Sequence, residues 1–209
     1  MKKINILYFI TFILLVSCAE PIYKTADYAQ TAAKHQQIAI LPPKVIIEIK
    51  NPKFADSIRQ QEKIESLNFQ KSLAEFLEKE RAKGDIAISI QNPEETNRIL
   101  QENGITSLAS KSYQELAMIL GTDAVISSRV SLAKPMSNAG ALLTAIMVGP
   151  GYGVGSRTST VDMSITDKQT GKMFWNYNWQ TDGIFQSANS LTTALMKQAA
   201  NNFPYQVKK

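Results

Sequence analysis

The stretch SYQELAMILGTDAVISSRVSL, residues 112–132, joins a complete helix to a complete strand with almost nothing between them. Ser112 followed by Glu115 has the spacing of a capping box, in which each side chain satisfies a backbone donor of the other residue. Gly121 is a typical helix end, and apolar residues then alternate with polar ones over 124–132. The stretch therefore predicts a helix that turns directly into a half-buried strand.

Elements of the same two kinds precede this stretch. The apolar run 38–41, ended by Pro42 and Pro43, predicts a buried strand, and residues 85–90 predict another. Between them the spacing predicts one long helix over 54–83, which either buries two faces or breaks near residue 65. Asn92, Pro93 and Glu95 indicate a further capped helix start. Strands that alternate with helices predict a sheet with crossover connections.

The C-terminal part predicts an antiparallel hairpin and a last helix. Residues 158–166 and 173–179 both alternate, and turn-forming residues separate them. Ser187 or Asn189 caps the final helix. The predicted fold class is α/β (α+β): a mixed sheet of about five strands flanked by helices, with a C-terminal antiparallel hairpin and final helix.

The N-terminus predicts export and lipid attachment. Two lysines and a short apolar run make residues 1–17 typical of a cleaved signal peptide, because the run is too short to cross a bilayer as a helix. Leu15, Ser17 and Cys18 resemble the lipoprotein box, which implies cleavage before Cys18 and acylation, palmitate included, of its thiol. Ala19 supplies no retention acid and favours the outer membrane, with the domain in the periplasm. The alternative is an accidental cysteine after a signal peptide.

Maturation also changes the charge of the chain. Loss of Lys2 and Lys3 lowers the formal charge from +5 to +3, and no aromatic-plus-basic motif indicates nucleic-acid binding. Cys18 is the one cysteine, so no disulfide braces the fold. Residues 18–36 are predicted to be a tether, in which the lone His35 is polar surface, and residues 37–209 a single domain.

Several short motifs together carry a family resemblance. The chain resembles the periplasmic lipoprotein domain shared by the curli-secretion lipoprotein, the lipoprotein activator of penicillin-binding proteins and neisserial-type surface lipoproteins. The resemblance implies an α/β domain and a role in envelope assembly rather than catalysis. It rests on Ile38-Ala39-Ile40-Leu41-Pro42, Leu73, Phe76, Leu77, Ile99 to Glu102, Leu116 to Ile126, Asp167, Thr170, Gly171, Trp175 and Phe203-Pro204-Tyr205.

An apolar, glycine-rich insertion at 136–156 interrupts the alternation. It is either a buried helix and capping loop, an interface with a partner or a second copy, or a membrane contact. Its glycines do not complete a dinucleotide-binding motif. The candidate interaction residues here are Leu142, Leu143, Ile146, Met147 and Tyr152.

The remaining candidates are aromatic. Trp175 and Trp179 share one face of the hairpin, as core residues or as a stacking surface for glycan or peptide. Asp162 and Asp167 lie on the same hairpin without a recognisable partner. No catalytic constellation, metal-ligand spacing, cofactor motif or small-molecule substrate site is predicted.

Three functions are compatible with these observations. The first is a non-enzymatic envelope lipoprotein that binds a protein partner or itself. The second is a secretion or pore subunit that uses residues 139–155, and the third is a glycan-binding module.

Overall fold

A computed structural model describes residues 22–48, 54–132, 158–182, 185 and 187–207. Its strands are β1 Ile22–Lys24, β2 Gln37–Ile40, β3 Lys44–Ile47, β4 Ser89–Ile90, β5 Ala124–Leu132, β6 Ser159–Asp167 and β7 Met173–Thr181. Its α-helices are α1 Tyr28–Ala32, α2 Ala55–Ala82, α3 Pro93–Glu102, α4 Tyr113–Leu120 and α5 Ala188–Ala199.

The described strands form one mixed sheet in the order β1-β7-β6-β5-β2-β4, with β3 beside the second half of β5. β2 and β3 run parallel to β5, whereas β6, β7 and β1 follow antiparallel. The predicted fold class is confirmed. The sheet has seven strands in the described residues, more than the five predicted, because β1 joins its edge and Pro42-Pro43 separates β3 from β2.

The sheet has two ends, at which different strands begin and finish. At one end β5 finishes at Leu132 and pairs with the start of β6, and β3 and β7 also finish there. We call this the Leu132 end. At the other, the Asp167 end, Asp167 of β6 lies opposite Ala124 of β5. The nine residues of β6 separate the two ends by about 27 Å at about 3.3 Å per residue.

Helices cover the two faces of the sheet unequally. The larger core lies between the helices α2 and α5 and one face of the sheet, which we call the inner face. It includes Phe69, Met163 and Leu195. A second, smaller core lies on the outer face, where α3 and α4 pack over Ala39 and Val125. No helix within the described ranges is both long and apolar enough to span a membrane.

Helix α2 is continuous, so the predicted break near residue 65 is wrong. The helix buries polar residues as well as apolar ones, because those side chains bond to the strands beneath it. The buried Gln70 donates to the carbonyl of Ile40 in β2 at 2.7 Å, and Ser66 donates to the carbonyl of Pro43, between β2 and β3, at 2.7 Å. These bonds explain why a helix with weak apolar periodicity still packs along its length.

Two capping predictions have different outcomes. Ser112 and Glu115 form the predicted capping box. Asn92 does cap α3, accepting from the backbone N–H of Glu94 at 2.8 Å. Glu95, however, does not complete a capping box there, because its carboxylate accepts from Arg98 instead.

The predicted tether over residues 18–36 is wrong from Ile22 onward. Ile22 pairs with Tyr177 and Lys24 with Trp175, so β1 is an edge strand of the sheet. Ala32 of α1 is buried in the main core. Residues 22–36 therefore form an arm that belongs to the domain, which leaves Ala19, Glu20 and Pro21 between Cys18 and the sheet.

Candidate functional site

Most of the predicted interaction residues lie outside the described residues. These are Cys18 and, in the apolar insertion, Leu142, Leu143, Ile146, Met147 and Tyr152. The roles predicted for them remain predictions. The described part of the chain stops at Leu132, the last residue of β5, and resumes at Thr158, one residue before β6.

The two tryptophans belong to the core. Trp175 is 0% exposed and donates its indole N–H to the carbonyl of Asn202 at 2.8 Å. Trp179 is 5% exposed and donates to Gln198 at 3.1 Å. The core interpretation is confirmed, and the glycan- or peptide-stacking surface predicted as its alternative is wrong for these two, since neither ring presents a face to solvent.

The outer face of the hairpin is polar and open. Beyond the small core under α3 and α4, no described helix covers it, and Arg129, Asp162 and Asn178 are exposed. Side chains from four adjacent strands share this face, since strand residues two apart point the same way. We call it the open face, formed by Tyr23, Ser127, Arg129, Ser131, Thr160, Asp162, Ser164, Asn176, Asn178 and Gln180.

The open face is ordered by cross-strand pairing. Arg129 lies opposite Asp162, which in turn lies opposite Asn178. Asn176 donates to Asp162 Oδ1 at 2.6 Å and to Ser164 Oγ at 2.9 Å. Fixed amide, carboxylate and hydroxyl groups on a flat sheet suit binding to another polar surface, and a flat surface does not enclose a small substrate.

A buried polar cluster, which the sequence did not predict, joins the arm to the rest of the domain. His35 Nε2 donates to Asp167 Oδ1 at 2.9 Å, and His35 Nδ1 lies 2.8 Å from the hydroxyl of Tyr205. The side chains of His35 and Asp167 are 4% and 5% exposed. His35 is therefore not polar surface, and Asp167 has the partner that the sequence did not reveal. We call these three residues the His35 cluster.

The pKa shifts of Asp167 and Tyr205 indicate a structural role for the His35 cluster. Burial acts to raise the pKa of the Asp167 carboxyl, but hydrogen bonds from Thr170 and His35 outweigh it, so the pKa lies below its usual range. Burial, with the charges of Asp167 and Asp123, raises the pKa of the Tyr205 hydroxyl well above its usual value. Tyr205 thus stays a neutral phenol and a poor nucleophile, and both ring nitrogens of His35 are occupied.

Asp123 provides a second connection to the arm. Its Oδ2 accepts from the backbone N–H groups of Gln36 and Gln37 at 2.8 and 3.1 Å, and its Oδ1 accepts from Lys168 at 3.3 Å. Burial acts to raise the pKa of this carboxyl, and the hydrogen bonds from the two backbone groups and Lys168 lower it overall. The arm is therefore held at its C-terminal end by two carboxylates.

Described residues line depressions in at least two places. One of about 410 Å³ lies beside the His35 cluster, between α1 and residues 201–206, and small alanine side chains line part of it. Another of about 410 Å³ lies between α2 and the start of α3. In the part of the chain that the structure describes, no three His, Cys, Asp or Glu side chains are grouped to hold a metal ion.

No protein-family profile and no curated protein matches the chain. The structure is similar to that of lipoprotein GNA1162 from Neisseria meningitidis, with 16% identity, coverage of 80% of this chain and 98% of that one, and a TM-score of 0.43.

Two further structures are similar. A PelC dodecamer from Paraburkholderia phytofirmans shares 16% identity, with coverage of 90% of this chain and 98% of that one and a TM-score of 0.40. The LpoB C-terminal domain from Escherichia coli shares 11%, with coverage of 74% and 94% and a TM-score of 0.35. The predicted resemblance to this group of lipoproteins is confirmed. At these identities and TM-scores no site, partner or activity is carried over from them.

Proposed function

We propose that this protein is an exported, lipid-anchored envelope lipoprotein that acts without catalysis, as a module for binding or assembling envelope proteins. The acylated residue is Cys18, the membrane is the outer membrane and the domain lies in the periplasm. The open face is the surface that receives the partner, which is another envelope protein or a second copy of this chain.

The observation that carries the partner proposal is the open face itself. Asn176 is hydrogen-bonded to Asp162 and to Ser164, so these three side chains lose little conformational freedom when a partner binds. The open face carries charges of both signs, Arg129 and Asp162, which suits a partner whose surface is likewise mixed. By contrast, the titratable groups of the His35 cluster are committed to one another.

The anchor proposal rests on the lipoprotein box and on the position of Cys18. A single acyl chain holds a protein only weakly, whereas several hold it firmly. A multiply acylated Cys18 would therefore keep the domain at the membrane and concentrate the open face there.

Photo-crosslinking in cells tests the partner proposal. A photoreactive amino acid at Asn178 should give discrete adducts, and one at Met118, which is 55% exposed on α4, should not. Co-expression of two differently tagged copies shows whether an adduct contains a second copy of this chain or another protein. Absence of adducts at Asn178, or the same adducts at Met118, would contradict the proposal.

A second candidate role is that of a secretion or pore subunit that uses residues 139–155. It is favoured by the placement of the segment between Leu132 and Thr158, both at one end of the sheet. Deletion of residues 139–148 should then abolish detergent-resistant rings that the intact protein forms. An intact protein that forms no such rings would rule this role out.

A further inference from the structure

We infer that the Leu132 end of the domain lies against a lipid surface, with the strands of the sheet pointing toward it. This inference rests on the proposed acylation of Cys18 and adds to it a defined membrane-facing surface. The described residues that reach solvent at this end are Glu48, Thr158, Thr181 and Asp182, which flank the buried strand ends Ile47, Leu132 and Ser159.

The connection between the anchor and the domain is short. Three residues separate Cys18 from Ile22. Fully extended, the four Cα–Cα steps from Cys18 to Ile22 reach at most about 14 Å, at about 3.3–3.6 Å per step. A connection this short cannot hold the domain away from the bilayer, so some part of the domain must lie close to the lipid.

The direction in which the chain enters the sheet is set by β1. This strand is antiparallel to β7, with Ile22 opposite Tyr177 and Lys24 opposite Trp175. Because β7 runs toward the Leu132 end, β1 runs away from it. The chain that precedes Ile22 therefore approaches from the side of the Leu132 end.

The register of β1 also gives the level at which the anchor emerges. Ile22 is level with Tyr177 and Met163, close to the middle of β6. Four more residues in the same direction cover about 13 Å, which is also the distance along β6 from Met163 to Ser159. A connection that continues in this direction is therefore long enough to bring Cys18 to the level of the Leu132 end. To reach the Asp167 end it would have to reverse direction and still cover about 13 Å, which the connection does not allow.

The arm itself does not act as a hinge. Thr25 donates its backbone N–H to the carbonyl of Phe174 at 3.1 Å, and Ala32 is 4% exposed. His35 then closes the arm onto Asp167 and Tyr205. Because the arm is held to the domain along its length, movement between the anchor and the domain is confined to the short connection.

The test uses the mature chain, residues 18–209, coupled through the Cys18 thiol to a maleimide phospholipid in phosphatidylcholine vesicles. The vesicles carry a photoreactive phosphatidylcholine, and the adducts are located by mass spectrometry. At least fivefold more adduct is expected at residues 158–160 and 181–182 than at the turn 168–171 of the Asp167 end. Equal labelling of both ends, or preference for the turn, would overturn the inference.

A matched variant tests the role of the short connection. Twenty Gly and Ser residues inserted between Glu20 and Pro21 lengthen the reach by about 25 Å on average. The ratio of labelling between the two ends is then expected to fall to about one. A ratio that stays unchanged would mean that something other than the connection orients the domain, and would contradict the role given to its length.

The same assay on the protein isolated from cell membranes separates the two proposals. If the cell-made protein carries no lipid but the chemically coupled chain shows the end preference, the anchor proposal fails, and with it the membrane contact in cells, whereas the orientation that an anchor at Cys18 imposes is confirmed. If the cell-made protein is acylated but labels at both ends equally, the anchor proposal stands and this inference fails.

Discussion

Replacement of Asp167 by alanine should be among the most destabilising single changes to the domain. The carboxylate accepts three hydrogen bonds: one from His35 at 2.9 Å, and two from the backbone N–H and hydroxyl of Thr170, each at 2.7 Å. A hydrogen bond to a charged group contributes about 1.5–3 kcal/mol, and removal of the carboxylate also leaves its buried donors without a partner. We expect a loss of about 3–5 kcal/mol for Asp167→Ala, and about half of that for Asp167→Asn, which keeps one acceptor oxygen.

Urea unfolding at pH 7, followed by tryptophan fluorescence, measures this loss. Glu75→Ala is the control, because Glu75 and Lys71 form an exposed ion pair at 3.9 Å that should contribute at most about 0.5 kcal/mol. A loss below about 1 kcal/mol for Asp167→Ala, or one equal to that of Glu75→Ala, would refute the argument that the His35 cluster holds the arm to the domain.

The pH dependence of the same difference is an independent check. The pKa of Asp167 is lowered in the folded protein, so the carboxylate stabilises the fold above its unfolded pKa of about 3.9. That contribution disappears as the pH falls through the lower, folded pKa. The free energies of unfolding of the wild type and Asp167→Ala should therefore converge below about pH 4. A difference that stays constant from pH 7 to pH 3 would mean that the charge of Asp167 is not responsible.

Three further variants test other parts of the fold by the same unfolding measurement. Gly171→Ala should cost about 2 kcal/mol, since φ is +68° and the new Cβ would lie 2.7 Å from Gln114 Oε1, whereas Gly104→Ala, at a similar φ in open space, should cost about 1 kcal/mol. Equal losses would show that the contact with Gln114 is unimportant. Trp175→Ala should cost about 3–5 kcal/mol, and a loss below about 2 would contradict its place in the core. Ser112→Ala should cost about 1 kcal/mol through loss of the capping box, and no loss would mean that water replaces the cap.

The parts of the fold that were predictable from sequence are those specified locally. The capping box at Ser112, the glycine end at Gly121 and the alternation after it all depend on residues within a few positions of one another. The same holds for the hairpin, where alternation alone places Trp175 and Trp179 on one face, although it left open whether that face is buried, as the structure shows, or binds a ligand. Local patterns of this kind indicate helix and strand without any knowledge of the rest of the chain.

The parts that were not predictable depend on distant contacts. Residues 22–36 have weak periodicity, and nothing local indicates that Ile22 pairs with Tyr177 or that His35 meets Asp167, 132 positions away. A lone histidine without nearby ligands is usually exposed, so its burial had no local signal. The open face, in contrast, is predictable from the alternation of the hairpin strands once the aromatic side is known to be buried.

The central claim is that Cys18 anchors this domain to a membrane. Metabolic labelling of cells with a clickable fatty acid, followed by membrane fractionation, tests it on the wild type and on Cys18→Ala. We predict that the wild type takes up the label and sediments with the membranes, whereas Cys18→Ala does neither. Unlabelled wild-type protein, or labelling that persists in Cys18→Ala, would contradict the claim.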